Sequence, residues 1–333
     1  MGKWNKKTPC FGKLDKTPDT MKLSIVIPVF NVEKYVRKCI DSCVDQNCLD
    51  EEYEIIIIND GSTDNSLSLV CDNLKYHSNI KVLSQDNMGL GATRNRGIEE
   101  SLGDYIWFVD SDDWIEKNIL KQVFLALDKC ADVVQIPFIT AFDNRKGTVF
   151  MPPTCYANPK KNISSKMIFP AQFYIVRRKF MLDNQIRFTE RILHEDIEYT
   201  PRILYLAKSI LFFDQPAYYF YKRPNSITTT YKIERSFSYL KVASNLHDFS
   251  LSFPQEDYCI FSSIIALSIN NALYNALRVS SMSIRTFNDL LPRYSFLFYR
   301  MLYSRSVKYI IEGVLFLLFP QFIIRIYKVL KKL

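Results

Sequence analysis

From Leu23 onward, short apolar runs alternate with stretches in which apolar positions recur every three or four residues. The run Leu23–Val29 (LSIVIPV) is β-branched and apolar on both faces, the pattern of a central strand in a parallel sheet. Glu54–Asn59 (EIIIIN), Ile80–Leu83 and Tyr105–Val109 predict three more strands. Between them, Val32–Asp45, Ser66–Tyr76 and Gly91–Leu102 have helical spacing, and Tyr35, Val36, Cys39, Ile40 and Cys43 fall on one stripe. This alternation predicts βαβ units with right-handed crossovers. The fold class is therefore α/β, a mostly parallel central sheet with helices on both faces.

After Gln135 the pattern loosens. Residues 138–165, with Gly147, Pro152, Pro153 and Pro159, predict a long loop over the sheet. Two helical pieces and a pair of β-like runs, Ile210–Phe213 and Ala217–Tyr221, lead to about Thr230. Beyond Tyr231 the spacing is helical to the end, and Ile264, Ile265, Leu267, Ile269, Leu273 and Leu277 form a packing stripe. The expected organisation is a disordered, basic lead over 1–20, a catalytic-type α/β domain over 21–230, and a helical C-terminal region over 231–333. The lead lacks the apolar stretch of a secretory signal.

In parallel sheets, ligands bind beyond the carboxyl ends of the strands. Polar clusters fall at three such ends: Pro28-Val29-Phe30-Asn31, Asn59-Asp60-Gly61-Ser62-Thr63-Asp64 and Asp110-Ser111-Asp112-Asp113. Carboxylates grouped at a buried strand end suit a hard divalent cation and the diphosphate it carries. An alternative reading makes Asp112 or Asp113 the cap of a helix starting near Trp114. Asp60-Gly61 is a turn signal, with Ser62, Thr63 or Asp64 available to cap the next helix. The same turn would project Asp60 toward the cleft, where a carboxylate accepts from an imide N–H such as that of uracil.

Gln85–Gly97 joins a strand end to a helix. Gly89 and Gly91 permit close backbone approach, the helix N-terminus favours phosphate, and Asn87, Arg94 and Arg96 add polar and positive groups. An ordinary glycine loop with solvated arginines fits the same residues. It is not a dinucleotide fingerprint, since it follows the third strand. His194-Glu195-Asp196 opens a helix. Its acids either complement the helix dipole or supply a general base.

The chain has 43 Lys+Arg against 35 Asp+Glu, a formal +8 without a basic stripe. That balance points to anionic ligands or anionic lipid and away from nucleic acid. Eight cysteines lack any C-x-x-C pair and only three histidines exist, which disfavours zinc and indicates buried thiols in a reducing cytoplasm. Near the C-terminus, Val314–Phe319 is intensely apolar, yet Glu312, Pro320, Gln321 and Arg325 interrupt it short of the roughly 20 residues a span needs. A helix lying on an anionic membrane surface fits, with Arg325, Lys328, Lys331 and Lys332 toward headgroups. Packing on the protein's own core or on a dimer partner fits the same residues.

Taken in order, S-I-V-I-P-V-F-N at 24–31, N-D-G-S-T-D at 59–64, Q-x-N-x-G-x-x-x-x-R-N-x-G at 85–97 and D-S-D-D at 110–113 resemble the family 2 nucleotide-sugar glycosyltransferases of the GT-A fold, bacterial surface-polysaccharide type. His194-Glu195-Asp196 resembles that family's downstream E-D motif, and Tyr219–Thr228 its Y-Y-x-x-R-x-x-S-I-T segment. The resemblance implies that Pro28, Asn31 and Glu33 line the nucleoside pocket and that Asp60 contacts the uracil. It places Asp110 on the ribose, Asp112 on a Mg²⁺ or Mn²⁺ that carries the diphosphate, and Arg223 and Ser226 near that diphosphate. Asn87 and Arg94 join this donor-binding set. Asp196 becomes the catalytic base, supported by Glu195. Thr93 and the glycines at 89 and 91 depart from the commoner A-R-N context, and Tyr199 stands for the aromatic that usually follows E-D.

The implied reaction is an inverting, metal-dependent transfer of a sugar from a nucleotide-sugar donor to a glycan or lipid-linked acceptor. The expected location is cytoplasmic, peripheral on the inner face of the membrane. A sugar-1-phosphate nucleotidyltransferase would carry a glycine- and arginine-rich loop after the first strand, where this chain has Pro28-Val29-Phe30-Asn31. A catalytically silent nucleotide-sugar-binding protein is disfavoured by intact Asp110, Asp112 and Asp196.

Overall fold

The computed structural model describes residues 21–73, 77–143, 145, 147–152, 158–223, 231–279, 287 and 289–331. The chain divides into two compact units: Met1–Pro159 with Pro170–Arg191 and Leu206–Pro224, and Lys160–Phe169 with Ile192–Tyr205 and Asn225–Leu333. The expected lead over 1–20 lies outside the described residues.

The first unit opens with β1 (Leu23–Val29), α1 (Val36–Val44), β2 (Tyr53–Asp60), α2 (Ser66–Asn73), β3 (Ile80–Gln85), α3 (Leu90–Glu100) and β4 (Tyr105–Phe108). β1 and β2 are buried along their whole length and pair in parallel from Leu23↔Tyr53 to Val29↔Asn59. Ile55, Ile56, Ile57 and Ile58 are fully enclosed. Such side chains contribute about 1.5–3 kcal/mol each on burial, which is why so uniform a run forms a strand. Glu54 is tolerated there because its carboxylate accepts from Ser24 Oγ and the Leu102 N–H, both at 2.6 Å.

Next come β5 (Trp114–Ile115), α4 (Leu120–Leu127), β6 (Val133–Gln135), β7 (Phe138–Ala141), β8 (Thr148–Phe150), β9 (Tyr174–Arg177), α5 (Arg178–Asp183), β10 (Ile210–Phe212) and β11 (Tyr218–Tyr221). The seven-stranded main sheet has the order β10-β6-β9-β4-β1-β2-β3. β9 runs antiparallel to both β4 and β6, and the other pairings are parallel. From β1 the chain proceeds outward to β2 and β3, then returns to place β4 on the other side of β1. The carboxyl ends of β1 and β4 thus form the topological switch point where ligands settle in open α/β sheets.

A second sheet, β5-β11-β7-β8, corrects three expectations. Residues 138–165 are not simply a covering loop, because β7 and β8 form an antiparallel hairpin there. Its two strands are short and mostly half-buried or exposed, so they leave no apolar run, and Phe138 fixes them by stacking on Phe150 and Phe173. The runs near 210 and 218 do not pair with each other, since β10 joins the main sheet and β11 the second. No helix starts at Trp114. That residue is in β5, antiparallel to β11, and α4 begins only at Leu120.

The second unit holds α6 (Asp196–Leu206, less its last residue), α7 (Ile233–Ser250), α8 (Tyr258–Ala276), α9 (Ser295–Met301), α10 (Val307–Leu318) and α11 (Ile323–Lys331). The segment Gln255–Ala276 is the one continuous helix among the described residues long and apolar enough to cross a membrane, but 78% of its apolar stretch is buried inside the protein. α10 and α11 meet at an angle of 110° at Pro320. The Asn270 amide donates to Glu312 at 2.7 Å and the Tyr327 hydroxyl to the Asn270 carbonyl at 3.0 Å, which ties α8, α10 and α11 together.

Candidate active site

Asn31 leaves β1 with φ 51°, a left-handed conformation that asparagine adopts more readily than most residues. The turn lets two loops grip each other. Asn31 Oδ1 accepts from the Thr63 N–H at 2.8 Å, its own N–H donates to Ser62 Oγ, and Val32 donates to Ser66 Oγ. Glu33 N–H donates to Asp64 Oδ2, while Glu33 Oε2 accepts from the Asn65 N–H, both at 3.0 Å. Asp64 also accepts from the Ser66 N–H and so caps α2. Pro28 sits buried within β1, opposite Ile58.

Asp60 is 3% exposed. Its Oδ1 accepts from Gln85 Nε2 at 2.8 Å and the Met88 N–H at 2.9 Å, and its Oδ2 from the Gly89 N–H at 2.9 Å. The carboxylate therefore holds the glycine loop to the end of β2, and Asn87 is exposed at the loop's tip. Gly61, at φ 72°, lies against this loop so closely that a Cβ would come 2.9 Å from the Asn87 nitrogen.

Three carboxylates follow β4, and each meets a different partner. Asp110 Oδ1 receives Arg94 Nη2 at 2.7 Å. Arg94 is 2% exposed, with the Phe108 and Phe188 rings 5.8 and 5.3 Å from its guanidinium carbon. The structure thus aims Arg94 at the Asp110 carboxylate. Asp112 Oδ2 lies 2.7 Å from Arg223 Nε, and that guanidinium also stands 5.7 Å over the Tyr35 ring. Burial, and next the Asp110 charge, push the Asp112 carboxyl above its usual pKa, with Arg223 opposing.

Asp113, 1% exposed, was only a capping candidate in the sequence. Its Oδ2 bonds the Tyr218 hydroxyl at 2.7 Å and its Oδ1 accepts from the Tyr221 N–H at 2.8 Å. The Tyr218 oxygen in turn accepts from the Asp110 N–H at 3.1 Å. Burial and then its two acidic neighbours hold the Asp113 carboxyl well above the ordinary range. The signal that could have found this network is the run Tyr218–Tyr221, which sets three hydroxyls within four residues.

Among the described residues no group of three His, Cys, Asp or Glu converges to hold a metal. A Mg²⁺ or Mn²⁺ that arrives with a diphosphate needs only one or two protein carboxylates, with phosphate and water completing the shell. Asp112, with Asp110 two residues before it, fits that requirement, since the two side chains keep 22% and 23% of their surface exposed.

In the helical unit, Asp196 is half-buried at the first turn of α6 and Glu195 is 4% exposed. His194 precedes them at φ 63°. One face of α7 fixes this turn. Arg235 Nε donates to His194 Nε2 at 3.2 Å, Ser238 Oγ accepts from the Leu193 N–H, and Tyr239 stacks on the imidazole at 4.4 Å. Burial, then the Arg235 charge, lower the His194 pKa to about 4. Arg235, Ser238 and Tyr239 carry no motif in the sequence. Ser226 lies outside the described residues.

Comparison with known proteins agrees with this architecture. The chain is 30% identical over 224 residues to the Bacillus subtilis glycosyltransferase EpsH and spans 64% of that protein's length. It is 29% identical over 287 residues to Streptococcus pneumoniae glycosyltransferase GlyG, covering 80% of this chain and 86% of the other. The crystal structure of Staphylococcus aureus TarS residues 1–349 with UDP-GlcNAc superposes with a TM-score of 0.72 at 22% identity, covering 94% of this chain and 91% of that one. At that identity the likeness establishes a GT-A-like fold. Residues 24–186 match the profile of glycosyl transferase family 2, and the chain carries a domain of that family.

Proposed function

We propose that the protein is an inverting transferase that moves a sugar from a UDP-sugar to a hydroxyl of a glycan or lipid-linked acceptor in surface-polysaccharide synthesis. The observation that carries the reading is the carboxyl edge of the main sheet, where Asn31, Asp60, Asp110 and Asp112 end β1, β2 and β4 beside the switch point. TarS, a poly(ribitol-phosphate) beta-N-acetylglucosaminyltransferase solved with UDP-GlcNAc on a similar fold, supports the choice of donor.

In this reading Asn31, Glu33 and Asn87 border the nucleoside, Asp60 receives its imide N–H, and Asp110, fixed by Arg94, meets the ribose. Asp112 would hold a divalent metal, which supplies charge neutralisation at the departing diphosphate. Arg223 stands beside Asp112 and adds positive charge there, with Ser226 as a further diphosphate contact. Asp196, with Glu195 beside it, takes the acceptor's proton as the hydroxyl oxygen bonds to the anomeric carbon. The anomeric C–O bond to phosphate breaks on the opposite face, and its electron pair leaves with UDP. One displacement inverts the configuration. Retained configuration in the product would overturn this.

The same reading puts the protein at the cytoplasmic face of an anionic membrane, through the exposed apolar residues of α10 and α11 and the nearby Arg325 and Lys328. The donor is tested by a thermal-shift screen of UDP-, GDP- and dTDP-sugars with and without Mn²⁺. Metal-dependent stabilisation by UDP-sugars is expected, and a preference for another base removes the uracil assignment.

A further inference from the structure

Within the helical unit, the turn at 163–166, α8 and the start of α10 line an open hollow of ≈ 470 Å³. Lys166, Arg305 and Lys308 line it together with Ser164 and Ser306 and with the apolar Ile260 and Tyr309. Among the described residues, neither Lys166 nor Arg305 makes an ion pair, and the Arg305 guanidinium has a long contact to Cys259 Sγ at 3.7 Å. Several cations and serines around one hollow are the donor set that recognises a phosphate. Ser306, at the N-cap of α10, makes no side-chain cap, so its hydroxyl is not spent on the helix.

The second observation begins at the next residue. Val307, Ile311, Val314 and Leu318 follow the i, i+4, i+7, i+11 spacing of one helical face and are 70, 52, 41 and 65% exposed. The opposite face of α10, with Tyr309, Glu312 and Phe316, is buried. Phe319 continues the exposed apolar surface to the bend and Phe322 carries it beyond. A soluble phosphate would occupy the basic hollow and leave this row in water. A lipid with a phosphate head and hydrocarbon tails satisfies both at once.

We propose that this hollow holds the headgroup phosphate of an anionic phospholipid at a bilayer surface, with the exposed row of α10 against the adjoining acyl region. The inference rests on the membrane reading above and assigns it a specific site.

The test is flotation of the full chain with vesicles of phosphatidylcholine, alone or mixed with phosphatidylglycerol. The wild type should bind the mixed vesicles. Lys166→Ala with Arg305→Ala should weaken that binding about thirtyfold, the factor that two cations near an anionic surface supply. Lys166→Arg should retain it, and Val307→Ser with Ile311→Ser should lose it. Circular dichroism and donor binding verify that each variant is folded. If the wild type floats and the double cation variant floats equally well, the headgroup site is wrong while the membrane reading stands. If the wild type floats with neither vesicle, both are wrong. Stabilisation by inorganic phosphate without flotation identifies a free-anion site and overturns the lipid.

Discussion

Tyr218→Phe removes one oxygen atom from a fully enclosed ring and nothing else. The ring packs edge-on against Phe173 at 5.4 Å and tilts over Trp107 at 6.3 Å, contacts that phenylalanine keeps. The lost hydroxyl leaves two groups short of a partner, the part-buried Asp110 N–H and the buried Asp113 Oδ2. Each orphaned group costs about 1–3 kcal/mol. Asp113 retains its bond from the Tyr221 N–H, so the lower half of the combined range applies, about 2–4 kcal/mol. Urea denaturation of wild type and variant, at matched m-values, reads this directly. Because the hydroxyl holds the loop that carries Asp110 and Asp112, UDP-sugar affinity should fall by about tenfold even where the variant is fully folded. A double-mutant cycle with Asp113→Asn should show coupling of about 1 kcal/mol or more. A loss of under about 0.5 kcal/mol with unchanged donor affinity would refute the idea that the hydroxyl organises the loop.

Asp112→Asn and Asp196→Asn should each lower transfer by about 10²–10⁴-fold, but only the first should abolish the effect of Mn²⁺ on nucleotide binding; near-normal turnover in Asp196→Asn would remove the base assignment. Gly61→Ala forces a side chain into the left-handed region and a Cβ to within 2.9 Å of the Asn87 backbone, so it should destabilise by about 1–3 kcal/mol and raise the donor KM, read by thermal unfolding and steady-state kinetics. His194 has a folded pKa lowered to about 4 against roughly 6.5 when unfolded, so the unfolded chain binds the extra proton and stability is lost as pH falls through that window. Between pH 7.5 and 5 the loss should be about 2 kcal/mol, measured by urea denaturation and absent in His194→Asn, which tolerates the positive φ; a pH-independent wild type would contradict it.

The first three strands of the main sheet were legible in the sequence because they are largely buried on both faces. β1 has the predicted bounds, and β2 and β3 extend the expected runs by one or two residues. Of the second sheet only β11 left such a trace, in the run Ala217–Tyr221. β7 and β8 are held by ring stacking across distant segments, and β9 enters the main sheet antiparallel at only four residues. Asp60 was visible as a turn acid at a strand end, but its three bonds to the 85–89 segment depend on where β3 delivers that loop. Arg94 looked like a phosphate ligand because local spacing put it one turn into a helix behind glycines. Only the pairing of β1 with β4 brings Asp110 to it.

The D-S-D-D loop explains why local pattern could not divide its labour. Three carboxylates within four residues repel one another, and at a buried strand end they persist only if each is compensated separately. Asp110 takes a guanidinium from α3, Asp112 takes one from the segment after β11, and Asp113 takes a hydroxyl and an amide from β11 itself. The partners of Asp113 lie 105 and 108 positions away in the chain, so identical neighbouring letters acquire different fates from topology alone. Burial then ranks them. Asp113, at 1% exposure, is committed to holding the loop, whereas the side chains of Asp110 and Asp112 keep 23% and 22% of their surface and can still face a ligand. The acid that holds the loop and the two that stay exposed thus lie within four residues, and the second sheet is what separates them.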